Sequence, residues 1–477
     1  MIRFLSEYWP HIVIVASGVI GTIAAVHAAM TKDDVRAAIG WVGVIMLSPF
    51  LGAFLYLVAG INRIRQSAAG QRRAEVERGQ GPFGEPPVAI SVPAGFASMQ
   101  KLGDQVAAFP LTAGNAVRLL DGGDGAYPQM LAAIRAAERH VALSSYIFDN
   151  DPVGSEFADA LVAAQARGVA VRVLIDAVGA RYSRPPIVGR LREGGVTTAL
   201  FMGELVGPRL PYANLRSHRK MLVVDGALAF TGGMNIRAQF TTAFGGTDLA
   251  HDTHFRVEGP AVGQLLTVFA HDWAFTTDEQ LGGAAWEVRE GPPRGDAAVR
   301  VVPSGPDRNL ACTHSMIMGV LAVAQRSVRI SSPYFLPDLQ LIGALGVAGR
   351  RGVDVDIVIP SNNNLRLVDY AMTAQLDQVL NGNCRVWRAS GAFDHSKLLA
   401  VDGEWAYVGS SNLDPRSLRL NFELDLEVYD PMLSGEVARR IEARIATARA
   451  ETLETLRARP FALKLRNRAV WLASPYL

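Results

Sequence analysis

Residues 218–235 read HRKMLVVDGALAFTGGMN, and residues 395–412 read HSKLLAVDGEWAYVGSSN. Both copies place His, one residue, Lys, four residues, Asp, six residues, Gly, two residues and Asn. Five fixed residue types at fixed offsets arise by chance on the order of once in 10⁷ start points at average amino-acid usage. The second copy, 177 residues after the first, therefore marks an internal duplication. Within each copy an apolar run leads into Asp-Gly and a second apolar run leaves it. Asp225-Gly226 and Asp402-Gly403 thus read as hairpin turns, the first between strands at 219–224 and 227–230.

Working outward, the same order of elements occurs twice. The pattern predicts a helix at 127–140, a strand at 141–148, a helix at 155–167 with Gly168 as its stop signal, and a buried strand at 169–175. The second half predicts a helix at 313–326, an extended stretch at 327–335, a helix at 339–351 and a strand at 352–359. The phrase YIFDND at 146–151 returns as YFLPD at 334–338, and ARGVAVRVLID returns as GRRGVDVDIVIP. A period this long is not a solenoid. It gives an α/β fold with two tandem domains, 100–290 and 296–477, separated near GPPRG at 291–295. Residues 436–457, rich in Ala, Arg and Glu, predict one surface helix. The tail from Pro460 interleaves Lys464, Arg466 and Arg468 with Phe461, Trp471 and Tyr476, which suits either an anionic membrane surface or a tail packed on its own domain.

Residues 8–31 and 37–62 carry no formal charge, and each exceeds the roughly 20 residues a membrane-crossing helix needs. With only a short link between them they predict a transmembrane hairpin at 1–66, in which Pro49 is tolerated. A cleaved signal peptide is the alternative for the first segment. Arg63, Arg65, Arg72 and Arg73 follow the second segment, so the remaining chain is placed in the cytoplasm, against a multi-pass anchor in the inner membrane. Residues 67–99, which include GQGPFGEPPVAISVPA, read as a linker. Hydrophobic residues make up 49% of the 477 and charged residues 19%, which fits membrane attachment. The net charge of +2 gives no footprint for wholesale nucleic-acid binding. Cys312 and Cys384 belong to no CxxC pair and read as buried thiols in a reducing compartment.

Alternate residues of a strand share a face, so His218 and Lys220 project together, as do His395 and Lys397. The small-residue loops ending at Asn235 and Asn412 offer backbone N–H groups and an amide to an anion. Imidazole, ammonium and neutral donors fit a phosphate; they lack the carboxylate ligands at coordinating spacing that a metal centre wants. No metal or other cofactor is expected. Two half-sites face to face supply two imidazoles, one to attack phosphorus and one to protonate the leaving oxygen. Lys220 and Lys397 neutralise the non-bridging oxygens. Each imidazole needs an acceptor on its other nitrogen, and Asp252 and Glu423, in corresponding stretches after the two motifs, are the candidates. The turn residues Asp225 and Asp402 complete the two triads, with a mainly local hydrogen-bonding role. His251, His254 and His314 read as structural or surface residues.

The duplicated HxK(x)4D(x)6G(x)2N pattern resembles the phospholipase D superfamily. The resemblance extends to the N-terminal apolar segments, GNAVRLLDGG, YIFDND, GGMNIR, SGPD, PYFLPD, VGSSNLDPRS and LNFEL. Together these are similar to bacterial cardiolipin synthases of the two-span type, over nearly the whole chain. One departure is His251 directly before Asp252. The resemblance implies two tandem phospholipase D-like domains forming one active site, with His218, Lys220, Asp225, His395, Lys397 and Asp402 as the catalytic set. It implies transfer of a phosphatidyl group from one phosphatidylglycerol to another, giving cardiolipin and glycerol. The intermediate would be a phosphatidyl-histidine, with His218 as nucleophile and His395 as general acid and then base. The same residues also serve a phospholipase D that transfers to water. A nuclease is disfavoured by the weak net charge and the membrane segments, and a non-enzymatic scaffold by the presence of both complete triads.

Overall fold

The computed structural model describes residues 2–32, 34–60, 90–203, 215–288 and 292–474, and the chain divides into two compact units, Met1–Ser67 and Ala68–Leu477.

In the first unit the helix Ile2–Thr31 contains one stretch, His11–Thr31, long and apolar enough to cross a membrane. The second apolar segment is not a continuous span. Its helix Val35–Leu47 stops at Ser48, whose backbone leaves the helical region (φ −146, ψ 82), and a short helix Pro49–Leu55 runs on into the π-turn Tyr56–Gly60. Pro cannot supply the N–H that would continue the first helix but suits the first position of a new one. The chain turns back sharply here: a Cβ at Gly52 would meet the Val44 carbonyl oxygen at 2.5 Å. Trp41 and Tyr56 pack edge to face at 5.4 Å, a contact that 15 residues of straight helix, about 22 Å long, would forbid. Tyr56 also reaches His27 Nδ1 at 2.8 Å, and Lys32 donates to the Gly60 carbonyl. Residues 35–60 thus enter and leave at the end of the unit that holds the 31–34 link, because the break at Ser48–Pro49 divides the expected second span.

The second unit is built on one sixteen-stranded sheet among the described residues. At its centre Thr112–Asp121 pairs antiparallel with Ala297–Ser304. From the first of these the sheet runs outward through Thr253–Glu258, Leu228–Gly232, Met221–Val224, His140–Ser145, Ala170–Asp176 and Thr197–Phe201. From the second it runs through Asn421–Tyr429, Trp405–Gly409, Leu398–Val401, Ser327–Ser331, Asp354–Pro360 and Arg385–Ala389, with Arg449–Glu451 at the edge. The two series match strand for strand, so the duplication yields two halves of one sheet related by a pseudo-two-fold. Each half has its own apolar core, one around Phe157, Val173 and Phe230, the other around Met316, Ile357 and Trp405.

The predicted strands and helices of both halves form within a few residues of their expected bounds. Three features differ. The helix Ala97–Val106 starts inside the expected linker, and its Phe96 and Met99 flank enters the core of the second half, with Ile90 and Val92 packed against it. Residues 61–89, which include the linker's first part at 67–89, lie outside the described residues. The helix predicted over 436–457 is Pro431–Ile445; the chain then forms Arg449–Glu451, paired on Val386–Arg388. Helical propensity yields there to a buried ion pair, Glu451 with Arg388 at 2.7 Å. Third, the tail follows the packed one of its two expected readings: the helix Phe461–Trp471 packs on the helix Arg366–Leu380. Its Arg466 guanidinium lies 3.6 Å from the Tyr370 ring centroid and its Arg468 pairs with Asp377 at 2.9 Å. Part of the basic charge expected to face lipid is therefore engaged within the unit, while Phe461, Leu465 and Leu472 stay exposed. Cys312 and Cys384 are buried free thiols.

Candidate active site

The two motifs meet in one cavity of about 200 Å³. His218 lies between the two-residue strand Arg216–Ser217 and the strand Met221–Val224, in the connection just before the hairpin rather than in a strand. His395 occupies the same place between Phe393–Asp394 and Leu398–Val401. Each lead-in strand crosses to the other half of the molecule. Arg216–Ser217 pairs parallel with Asn421–Phe422, and the His218 N–H donates to the Phe422 carbonyl at 2.8 Å. Phe393–Asp394 pairs parallel with Ala250–His251, and the His395 N–H donates to the His251 carbonyl at 2.7 Å.

This crossing decides the carboxylate partners. His218 Nδ1 is 2.9 Å from Glu423 Oε2, and His395 Nδ1 is 2.8 Å from Asp252 Oδ2. Each histidine is held by the carboxylate of the opposite half. Both carboxylates are fully buried and well satisfied. Glu423 accepts from Ser410 Oγ at 2.6 Å and from Asn421 Nδ2 at 3.1 Å; Asp252 accepts from the Thr253 N–H at 2.7 Å. Ser410 has Gly233 as its counterpart in the first motif, and a Cβ there would stand 2.4 Å from Asp252 Oδ1. With both Nδ1 atoms tied outward, the two Nε2 edges are left for the cavity, which both rings line. The ring centroids are 6.2 Å apart at 80°, room for one tetrahedral phosphorus between them. Tyr146 packs against His218 at 5.3 Å and Tyr334 against His395 at 5.9 Å, so each imidazole is wedged from the side as well as held from behind.

Lys220 and Lys397 sit behind the histidines and do not line the cavity. Lys220 Nζ donates to the His218 carbonyl at 2.6 Å, and Lys397 Nζ donates to that of His395. Burial pushes the Lys220 ammonium down to about 7 and that of Lys397 down to about 8. Burial and then the Lys397 charge bring His395 down to about 4; burial with the charges of Lys220 and Lys397 puts His218 well below the ordinary imidazole value. Both rings are thus neutral in the empty site, as a nucleophile must be. For Asp252 burial works upward, but the Lys397 charge and the His395 hydrogen bond outweigh it and hold the carboxyl below its ordinary range. Burial raises Glu423 against the opposing charge of Lys220. An anionic phosphodiester entering between the rings favours the protonated form of a nearby histidine, which would supply the acid that the empty site lacks.

The other predicted site residues divide. Asn235 and Asn412 line the cavity; Asn235 Oδ1 accepts from the Ile147 N–H at 3.0 Å, and Asn412 Nδ2 donates to Ser417 Oγ at 3.2 Å. The loop N–H groups expected to bind an anion are already engaged, Gly233 with the Thr253 carbonyl and Ser410 with that of Leu424. Strand pairing competes for them and wins. Asp225 and Asp402 are not in the cavity. Each carboxylate accepts three successive backbone N–H groups at the start of a distant strand: Glu138, Arg139 and His140 for Asp225, and Gln325, Arg326 and Ser327 for Asp402. They bond a neighbouring loop rather than their own turn, and their role is to fix the hairpin against the adjacent strand. His254 is buried, His251 presents its carbonyl to His395, and His314 pairs with Asp338 at 3.1 Å. Residues not singled out from the sequence are the two tyrosines and a set of cavity-lining arginines, Arg216, Arg237 and Arg416. The tyrosines carried a readable signal, since both duplicated phrases begin with Tyr.

The cardiolipin synthase, PLD-like domain family matches residues 130–273 and 317–445, the two halves described above, and the phospholipase D-nuclease N-terminal family matches residues 19–60. The chain belongs to the PLD-like cardiolipin synthase family. Among members of this cardiolipin synthase family, cardiolipin synthase A of Pseudomonas aeruginosa is 33% identical over 98% of this chain and 96% of its own. The major cardiolipin synthase of Bacillus subtilis is 31% identical over 77% of this chain and 76% of its own. The crystal structure of phosphatidylserine synthase from Haemophilus influenzae superposes with a TM-score of 0.60 at 15% identity, covering 80% of this chain and all of that one, and shares the fold. The relatives bring a membrane protein and phospholipid substrates with them, in keeping with the apolar first unit.

Proposed function

We propose that this protein is a cardiolipin synthase that uses phosphatidylglycerol as both donor and acceptor. The observation that carries the reading is the crossed pair of carboxylate-held histidines facing each other across one cavity. His218 Nε2 attacks the donor phosphorus while the phosphorus–oxygen bond to glycerol breaks, and the departing oxygen takes a proton from His395 Nε2. The hydroxyl of the second phosphatidylglycerol then attacks phosphorus and gives its proton back to His395, and the phosphorus–nitrogen bond breaks with its electron pair returning to His218. Lys220 and Lys397 place positive charge behind both rings, where it lowers the cost of charge on the phosphorus oxygens. The assignment of His218 as nucleophile and His395 as acid follows the roles that the family resemblance implies; the charges of Lys220 and Lys397 act on both rings and keep each neutral in the empty site. Purified full-length protein in phosphatidylglycerol vesicles should yield cardiolipin and an equal amount of free glycerol. Phosphatidic acid without cardiolipin would make it a hydrolase instead.

The first unit supports a single span followed by a re-entrant hairpin, with the catalytic unit in the cytoplasm against the inner leaflet. Residues 35–60 return to the end bearing Lys32, and Lys32 and Arg36 of the link, with the Arg-rich sequence that follows residue 60, make the excess of positive charge that assigns this side as cytoplasmic. A cysteine introduced at residue 3 should react with a membrane-impermeant thiol reagent from outside the inner membrane, and one at residue 65 only after permeabilisation. Labelling of both from the same side would restore a plain two-span hairpin.

A further inference from the structure

The ammoniums of Lys220 and Lys397 lie behind the two histidines together with the carboxylates Glu423 and Asp252, whereas three guanidiniums, Arg216, Arg237 and Arg416, line the cavity wall itself. Arg237 is neutralised: it pairs with Asp149 at 2.5 Å, and its guanidinium lies 5.7 Å from the Tyr182 ring centroid. Arg416 forms no ion pair at contact distance among the described residues. Its charge is felt both by Tyr146, beside His218, and by Asp414, beside the second motif. It therefore stands where the two halves meet. Arg216, just before His218, is buried in the same wall and acts on Tyr146 as well.

Resting on the proposed phosphatidyl transfer, the chemistry requires a second anion in this cavity. The acceptor's attacking hydroxyl and its own phosphodiester are separated by one three-carbon glycerol arm, so the second phosphate must lie within that reach of the first. Water, the competing acceptor, brings no such charge. We propose that Arg416, with Arg216 lining the same cavity, binds the phosphodiester of the acceptor lipid and thereby directs the phosphatidyl group to a lipid hydroxyl in preference to water. A guanidinium is suited to this, since its fork of donors matches two phosphate oxygens where an ammonium offers a point charge. Binding energy placed on this remote anion is spent on orienting the reacting hydroxyl.

The test uses full-length protein in phosphatidylglycerol vesicles and two acceptors. Cardiolipin formation needs the second phosphodiester; exchange of radiolabelled free glycerol into phosphatidylglycerol passes through the same intermediate with an acceptor that has none. In Arg416→Ala the ratio of cardiolipin formation to glycerol exchange should fall at least tenfold, with a larger share of phosphatidic acid, and Arg416→Lys should recover part of the ratio. A ratio equal to that of the unmodified protein, whether both rates fall together or neither falls, would overturn the assignment. Absence of both reactions in the unmodified protein would instead strike the phosphatidyl-transfer reading on which it rests.

Discussion

His218→Ala and His395→Ala are each expected to lower cardiolipin formation by at least ~10⁴-fold, because a nucleophile and a general acid that act as one unit lose most of the rate when either is removed. The two variants should nevertheless differ with an activated donor. A phosphatidyl ester of p-nitrophenol has a leaving group that needs no proton. With it, His395→Ala should still release nitrophenolate in a single burst equal to the enzyme present and leave a phosphatidyl group on His218, detectable by mass. His218→Ala should release none. A burst from His218→Ala and none from His395→Ala would exchange the two roles. Near-normal cardiolipin formation by either variant would break the single shared site, since among the described residues these two imidazoles, 6.2 Å apart, are the ones that line the cavity.

Most of this site is legible in the sequence at the level of residue identity. The His, Lys and Asn positions, the hairpins and the paired carboxylates Asp252 and Glu423 follow from the duplicated spacing. What the spacing does not contain is which carboxylate serves which histidine. Proximity along the chain associates Asp252 with His218 and Glu423 with His395. The fold exchanges them, because Arg216–Ser217 pairs with Asn421–Phe422 and Phe393–Asp394 with Ala250–His251, bridges that span more than 140 residues and have no local pattern. The same holds for the loop N–H groups of Gly233 and Ser410, free in a hairpin taken alone and occupied once the next strand is added. It holds too for Asp225 and Asp402, whose partners lie more than 70 residues away. In the first unit the apolar segments are plain from composition, but the reversal at Ser48–Pro49 depends on packing of Tyr56 against His27 and Trp41. Arg416 lies in VGSSNLDPRS, one of the stretches that carry the resemblance, yet nothing local gives it a role: a single arginine after Asp-Pro acquires meaning only when both halves line one cavity.

The crossed wiring has a consequence that separates it from the uncrossed alternative. Glu423→Gln is isosteric and keeps an acceptor oxygen for Ser410, but its amide can also donate toward His218 Nδ1. It then stabilises the tautomer with the proton on Nε2, the atom that must present a lone pair to phosphorus. A comparable carboxylate-to-amide change behind a catalytic histidine costs up to about 10⁴-fold in turnover, and we expect a loss of about 10²- to 10⁴-fold here, with little change in KM, since Glu423 does not line the cavity. The defect should fall on the nucleophile: Glu423→Gln should fail to give the nitrophenolate burst, although Glu423 lies in the half that carries His395. Asp252→Asn should lose cardiolipin formation yet keep the burst, like His395→Ala, although Asp252 lies in the half that carries His218. If the phenotypes instead follow the halves, with Glu423→Gln keeping the burst and Asp252→Asn losing it, the hydrogen bonds at 2.9 Å and 2.8 Å that cross between the halves are not the ones the reaction uses.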